Sequence, residues 1–86
     1  MVLGPGIETI VRCWKSDTDI VILGVHGFAE HSGRYDHVGE YLSKCNLTLC
    51  MYDLRGHGMC SGWERGYVDN FSQFVEDTKK FRDYIS

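Results

Sequence analysis

The chain has 86 residues and a net charge of −3, with 43% hydrophobic and 24% charged residues. This composition is typical of one small globular domain, residues 1–86, and excludes a disordered chain. Lys and Arg are scattered rather than clustered on one face, so nucleic-acid binding is not predicted, and no apolar run is long enough for a transmembrane segment.

The first two predicted elements are strands. Residues 7–14 have the period of a strand, with Ile7, Thr9, Val11 and Cys13 on one face, and a polar turn follows at 15–19. Residues 20–25 form a continuous β-branched apolar run. Such a run favours a strand buried on both faces, as parallel strands between helices are.

A helix and a further strand come next. Tyr35, Val38, Leu42 and Cys45 recur at helical spacing, with Gly39 in the helix interior. Residues 47–52 are a second apolar strand, and a glycine-rich stretch at 56–62 follows it.

The last element is predicted as an amphipathic helix. Its start is marked by Asn70 as N-cap, with Gln73 in the capping-box position. Its apolar stripe consists of Phe71, Phe74, Val75, Thr78, Phe81 and Ile85.

Two apolar strands joined by a helix predict a parallel βαβ unit with a right-handed crossover. We therefore expect an α/β fold: a mostly parallel sheet of about three strands with two flanking helices, one on each face. A sheet this small leaves at least one strand edge exposed, which invites pairing with another chain.

The four cysteines, Cys13, Cys45, Cys50 and Cys60, contain no CxxC pair. They are predicted to be reduced, with Cys13, Cys45 and Cys50 buried on apolar faces. Neither a metal site nor a cofactor is predicted. The first six residues lack the pattern of a signal peptide, so a cytoplasmic location is expected.

Two motifs resemble one known family. Residues 25–35, VHGFAEHSGRY, look like the HG-x-x-EHSGRY signature of monoacylglycerol lipases and lysophospholipases. Residues 52–62, YDLRGHGMCSG, resemble the D-x-R-G-H-G-x-S-x-G loop of the same family. The likeness extends from about residue 14 to residue 85, and Ala29 stands where the family often has glycine.

The resemblance implies a partial α/β-hydrolase fold and, in the intact family, a Ser-Asp-His triad that hydrolyses monoglyceride or lysophospholipid esters. In this fold one oxyanion-hole amide comes from the loop after the first buried strand. That position is occupied here by Phe28, whose backbone N–H is the candidate oxyanion donor.

The other matched residues are predicted to organise the two loops rather than to react. They are His26, Gly27, Asp53, Arg55, Gly56, His57 and Gly58. Arg55 is expected to pair within its own loop, and Glu30 and Arg34 to tie the first loop to the helix. A catalytic triad that combines Asp53 with His31, His37 or His57 is less favoured than this loop-organising role.

No catalytic residue of the family triad is identified in the sequence. The nucleophile elbow G-x-S-x-G needs a strand directly before it and a helix directly after it, and the triad Ser, Asp and His are expected beyond residue 86. Residues 58–62 read G-x-C-x-G, but residues 63–66 open no amphipathic helix, so Cys60 is not predicted to be a nucleophile. The chain alone is therefore predicted to be catalytically inactive.

Three interpretations remain open for such a chain. It is a truncated hydrolase, a non-catalytic interaction module that uses its exposed strand edge to bind a partner or itself, or one half of a two-chain hydrolase. The acyl-chain and head-group preference of the parent enzyme does not follow from these residues.

Overall fold

A computed structural model describes residues 1–27, 30–68 and 70–86. Its elements in chain order are β1 (Val2–Gly4), β2 (Ile7–Glu8), β3 (Val11–Trp14), β4 (Val21–Val25), α1 (Asp36–Lys44), β5 (Thr48–Tyr52) and α2 (Phe71–Ile85), with a 3-10 turn at Ser32–Tyr35 before α1.

The main sheet has three strands in the order β3-β5-β4. β4 runs parallel to β5, from Val21 opposite Thr48 to Val25 opposite Tyr52, and β3 runs antiparallel to β5. The α/β class and the βαβ unit are confirmed. The sheet is mixed, because β5 has a parallel neighbour on one side and an antiparallel neighbour on the other.

The first predicted strand is broken in two. β2 pairs antiparallel with β1, an element that the sequence analysis missed, whereas β3 pairs with β5. The N–H of Thr9 bonds to Met1 O at 2.9 Å, and the N–H of Asp53 bonds to Ile10 O at 3.2 Å. The strand changes partners here, although its side-chain alternation continues.

The two helices lie on opposite faces of the sheet. On one face Phe81 of α2 packs on Tyr52 of β5, with ring centroids 4.8 Å apart. On the other face α1 packs against β3 and β5, with Trp14 directly over Gly39. A Cβ on Gly39 would lie 2.2 Å from the Trp14 ring, so this glycine, which weakens the helix, lets the indole approach its backbone.

The burial predicted for residues 20–25 is wrong. Val21, Ile22, Leu23 and Val25 are 43%, 37%, 39% and 50% exposed, because β4 is an edge strand. β5 is central and covered on both faces, and every residue from Thr48 to Tyr52 is buried. The expected exposed strand edge is therefore β4.

The predicted state of three cysteines is also corrected. Cys13 and Cys50 face each other across β3 and β5, with Cα atoms 4.1 Å apart, and are joined as a disulfide. Cys45 is an exposed thiol at the end of α1, and Cys60 is a buried thiol. Cys13 and Cys50 lie on apolar faces because they form a cross-strand pair. This pairing cannot be inferred from the sequence without the register of β3 on β5.

Neither helix in the described ranges combines the length and apolarity that crossing a bilayer requires.

Candidate functional site: the two loops at the carboxyl ends of β4 and β5

Asp53 lies at the centre of the two loops, directly after β5, and its side chain is fully buried. One carboxylate oxygen accepts hydrogen bonds from the N–H and the hydroxyl of Ser32, at 2.8 and 2.6 Å. The other accepts from the N–H of Met59 at 2.8 Å. The carboxylate therefore connects the loop after β4 to the loop after β5.

These contacts also set the charge state of Asp53. Burial acts to raise the pKa of its carboxyl, but the hydrogen bonds from Ser32 and Met59 outweigh burial, so the pKa lies below the ordinary Asp value. A buried carboxylate is tolerated when hydrogen bonds satisfy its oxygens. Asp53 is thus ionised near neutral pH and serves as an acceptor.

His26 makes a second link between the loops. Its Nε2 accepts the N–H of Leu54 at 2.9 Å, so Nδ1 carries the proton and donates to Gly27 O at 2.7 Å. Burial lowers the pKa of His26, and the nearby His57 adds to the lowering. The neutral ring is the form that fits, because only a neutral imidazole can accept through Nε2.

The stability of the protein should therefore depend on pH through His26. Because the folded state lowers the pKa of His26, its contribution is fully present above the unfolded value of 6.5 and is lost as pH falls through the folded value. We expect the free energy of unfolding, measured in urea, to decrease between pH 7.5 and pH 5. His26→Gln, which removes the titrating ring, should flatten this slope, whereas His37→Gln on the exposed side of α1 should keep it. A His26→Gln slope equal to that of the wild type would contradict this assignment.

Arg55 holds α2 against the site. Its Nε and one terminal nitrogen bond to the two carboxylate oxygens of Asp77, both at 2.9 Å, and both residues are buried. The guanidinium carbon lies 4.4 Å from the centre of the Trp63 ring. The expectation that Arg55 pairs within its own loop is wrong, since its partner is 22 residues away on the facing helix.

Two glycines let the second loop close around Asp53. Gly58 has a φ of 49° and a Cβ on it would lie 2.3 Å from the Asp53 carboxylate. Gly56 has a φ of 74°, and its Cβ would lie 2.7 Å from Glu64 O. Both positions are therefore restricted to glycine by conformation and by space.

His57 lies inside the same loop. Its ring packs 5.5 Å from that of His26 and its Nδ1 bonds to Arg55 O at 2.9 Å. The Asp53 carboxylate bonds to Ser32 and Met59 and, among the described residues, to no histidine. His31 and His37 are exposed. The geometry thus gives no improvised triad around Asp53.

The loop after β4 is organised by Glu30. One of its carboxylate oxygens accepts from the N–H of Gly27 at 2.8 Å and from the hydroxyl of Tyr35 at 2.9 Å. The other lies 3.9 Å from Arg34. The Gly27 hydrogen bond is the main reason that the pKa of Glu30 is lowered. Phe28 and Ala29 lie outside the described residues, so the oxyanion position of Phe28 stays a prediction.

Cys60 does not occupy a nucleophile elbow. β5 ends at Tyr52 and α2 begins at Phe71, so neither element borders the G-x-C-x-G stretch. Cys60 is only 5% exposed and packs with Leu3 and Ile7. Among the described residues no cluster of three or more His, Cys, Asp or Glu is arranged to hold a metal ion.

Sequence reasoning missed two members of this network, Ser32 and Asp77. Ser32 belongs to the quoted motif but was given no role, although it is fully buried. Asp77 is not part of the predicted apolar stripe of α2, because helical periodicity cannot show that one polar residue faces a buried cation. The signal that was available is the charge of Arg55 in a glycine-rich loop, because a cation that becomes buried requires an acidic partner.

Beside the site an open apolar cavity of about 410 Å³ lies between β4 and α2. Residues of the predicted α2 stripe line it, and Phe71 is 76% exposed there. Its walls include Val25, His26, Leu54, Phe71, Phe74 and Val75.

A parallel strand pair with a crossover helix, and polar loops gathered at the carboxyl ends of its strands, define the chain as part of an α/β-hydrolase fold. The family model described as serine aminopeptidase, S33, matches residues 16–86. In structure the chain is similar to a monoacylglycerol lipase of Paleococcus ferrophilus, with a TM-score of 0.72 and 29% identity over 91% of this chain and 28% of that one.

Proteins of similar sequence support the same assignment. The chain is 41% identical over 75 residues to a monoacylglycerol lipase of Mycolicibacterium smegmatis, covering 84% of this chain and 26% of that protein. It is 39% identical over 60 residues to Protein K6 of vaccinia virus, covering 67% of this chain and 73% of that protein. The chain thus spans about a quarter of the length of the lipases it matches. It belongs to the S33 serine aminopeptidase family and, within it, is similar to monoacylglycerol lipases.

Proposed function

We propose that these 86 residues are a segment of a monoacylglycerol-lipase-like ester hydrolase that positions the oxyanion loop but does not catalyse by itself. The observation that carries this proposal is the absence of a G-x-S-x-G stretch from the sequence, together with the position of Cys60 away from any strand-to-helix turn. A triad enzyme without its nucleophile retains only the weak catalysis of binding and the oxyanion hole.

In this proposal the network of Asp53, His26 and Arg55 is structural. Each side chain links one loop to another loop or to α2 through short hydrogen bonds, which would hold the Phe28 amide in place. The intact hydrolase would act on a monoglyceride, which is supported by the names of the similar lipases, or on a lysophospholipid. No cofactor is part of the proposal. It also includes a cytoplasmic location.

A serine-directed fluorophosphonate probe tests this proposal. We expect the purified chain to show no labelling and no turnover of a monoglyceride, with an active monoacylglycerol lipase in a parallel reaction as the positive control. Labelling of a serine, or monoglyceride turnover that a thiol reagent abolishes and Cys60→Ser removes, would overturn it.

The second candidate function is a non-catalytic interaction module. It is favoured by the exposed apolar side chains of β4 in the described chain. A two-chain hydrolase, in which a partner brings the elbow and the late Asp and His, predicts that turnover appears only when the two chains are mixed.

A further inference from the structure

Cys13 and Cys50 face each other on the neighbouring strands β3 and β5. Residue pairs along antiparallel strands alternate between hydrogen-bonded and non-hydrogen-bonded positions. The N–H of Asp53 bonds to Ile10 O at 3.2 Å, so the cysteines, three residues along each strand from that pair, occupy a non-hydrogen-bonded position. Backbones approach most closely at such a position, and the two Cα atoms are 4.1 Å apart. The strand pairing therefore brings the two sulfurs together.

This placement allows the S–S bond to open and close while the cysteines stay aligned. The register of β3 on β5 extends on both sides of them, from Val11 opposite Tyr52 to Trp14 opposite Leu49. The backbone hydrogen bonds of this ladder do not involve sulfur, so they remain when the S–S bond is reduced. Two thiols held opposite each other in this way are in position to form the bond again.

One sulfur of the pair can be reached in the described chain. Cys13 is exposed, whereas Cys50 is only 3% exposed. Both line an open cavity of about 320 Å³, together with Lys15 and Ile85. Thiol–disulfide exchange depends on access to the attacked sulfur, so a small thiol would attack Cys13. The positive charge of Lys15 favours the approach of an anionic thiol such as glutathione.

The two strands that the disulfide joins also hold the polar network of the two loops. Arg12, next to Cys13 in the chain, donates from Nε to Ser32 Oγ at 2.9 Å. Ser32 in turn donates its hydroxyl hydrogen to the carboxylate of Asp53, which follows Cys50 by three residues. A bond that fixes Cys13 to Cys50 therefore also fixes the strand positions from which these contacts are made.

We propose that Cys13 and Cys50 form a reversible thiol–disulfide switch that responds to glutathione and sets how stably β3 and β5 hold this network. The structure contains the closed state. To open it, the thiolate of one glutathione attacks Cys13 Sγ, the S–S bond breaks, and Cys50 leaves as a thiolate that takes up a proton. A second glutathione attacks the glutathione sulfur of the mixed disulfide and releases Cys13. The protein thus gains two electrons and two protons, and two glutathiones leave as oxidised glutathione; closure is the reverse.

Opening the bond should weaken the fold. The two cysteines are 37 residues apart, and a cross-link that closes a loop of this length restricts the unfolded chain. We expect the equilibrium constant for unfolding in urea to rise on the order of 100- to 1,000-fold on reduction. Hydrogen exchange of the Ser32 and Asp53 amides should become faster at the same time.

A glutathione titration of the full 86-residue chain tests the proposal, with the closed fraction measured by thiol alkylation and peptide mass mapping. At about 5 mM total glutathione, we expect half closure at a ratio of reduced to oxidised glutathione between about 1:1 and 1,000:1, the range that cell compartments cover. The opening and closing curves should coincide, and the urea midpoint should follow the closed fraction.

Two variants provide the controls. Cys13→Ser should have the same urea midpoint in reduced and in oxidised glutathione, close to that of the reduced wild type. Cys45→Ser removes the exposed thiol at the end of α1 and should titrate like the wild type.

Four outcomes would overturn the proposal. They are a pair that stays open at a ratio of about 1:1, a pair that stays closed at about 1,000:1 and is thus a permanent structural disulfide, a cross-link from Cys45 in its place, and equal stability of the two states. None of these measurements depends on catalysis, so their result is separate from that of the fluorophosphonate experiment.

Discussion

Replacing Asp53 by alanine should lower the free energy of unfolding by about 4 kcal/mol, because it leaves three donors, two of them buried, without their acceptor. These donors are the N–H and hydroxyl of Ser32 and the N–H of Met59. A domain of this size has a total stability on the order of 5 kcal/mol, so the variant should keep only about 1 kcal/mol and be detectably unfolded at 37 °C. Urea titration followed by far-UV circular dichroism at pH 7.5 measures the effect.

Two further variants separate the loss of these hydrogen bonds from other causes of destabilisation. Asp53→Asn keeps the side-chain volume but replaces one carboxylate oxygen by an NH2 group, which would face either the Ser32 donors or the Met59 N–H. We therefore expect an intermediate loss of about 2 kcal/mol. Asp83→Ala removes an exposed carboxylate whose ion pair among the described residues is with the neighbouring Arg82, and should change stability by less than about 0.5 kcal/mol. If Asp53→Ala unfolds at the same urea concentration as Asp83→Ala, the carboxylate does not join the two loops.

The second large effect is expected at Asp77. Asp77→Ala removes the carboxylate that both bonds from Arg55 reach at 2.9 Å, and leaves a buried guanidinium whose main counter-charge is gone. Breaking a buried ion pair from one side destabilises by about 3–5 kcal/mol. We expect the low end, about 3 kcal/mol, since the guanidinium keeps its contact with the Trp63 ring.

The adjacent residue on α2 provides the control. Glu76 pairs with Lys79 at 3.3 Å, but both side chains are more than half exposed, so Glu76→Ala should cost less than about 0.5 kcal/mol. A second control is the double change Arg55→Met with Asp77→Leu, which removes both charges and should recover part of the loss. Equal unfolding midpoints for Asp77→Ala and Glu76→Ala would show that the pair does not fasten α2 to the loop.

Much of the fold could be predicted from local periodicity in the sequence. The apolar run of β5, the spacing of α1 and the Asn70 N-cap of α2 were all predicted. The Asn70 side chain accepts the N–H of Ser72 at 3.0 Å in the structure. These features depend on neighbours within about one turn or one strand, which the sequence displays directly.

Predictions that depended on distant partners were less successful. Residues 20–25 were expected to be buried because their composition matches a central strand, but the burial of a strand depends on what lies beside it. The described chain supplies a neighbour, β5, on one side only. For the same reason the burial of Cys13 and Cys45 was wrong, and the pairing of Cys13 with Cys50 could not be foreseen without the β3–β5 register.

The site residues divide in the same way: the sequence predicted the residues themselves but not their distant partners. His26, Asp53, Arg55 and the glycines were singled out from two motifs, and the geometry brings their side chains and turns together at one end of the sheet. Their partners were not predicted: Ser32, Leu54 and Asp77 are 21, 28 and 22 residues away from Asp53, His26 and Arg55.

By itself the sequence determined the two helices, the strands β4 and β5, the family motifs and the lack of a serine elbow, since each of these is written in residues that are adjacent or one helical turn apart. Only the tertiary structure decided which charges are paired, which cysteines meet and which strand is left at the edge. Those outcomes depend on hydrogen-bond register and on packing between segments far apart in the chain, and no local pattern encodes them.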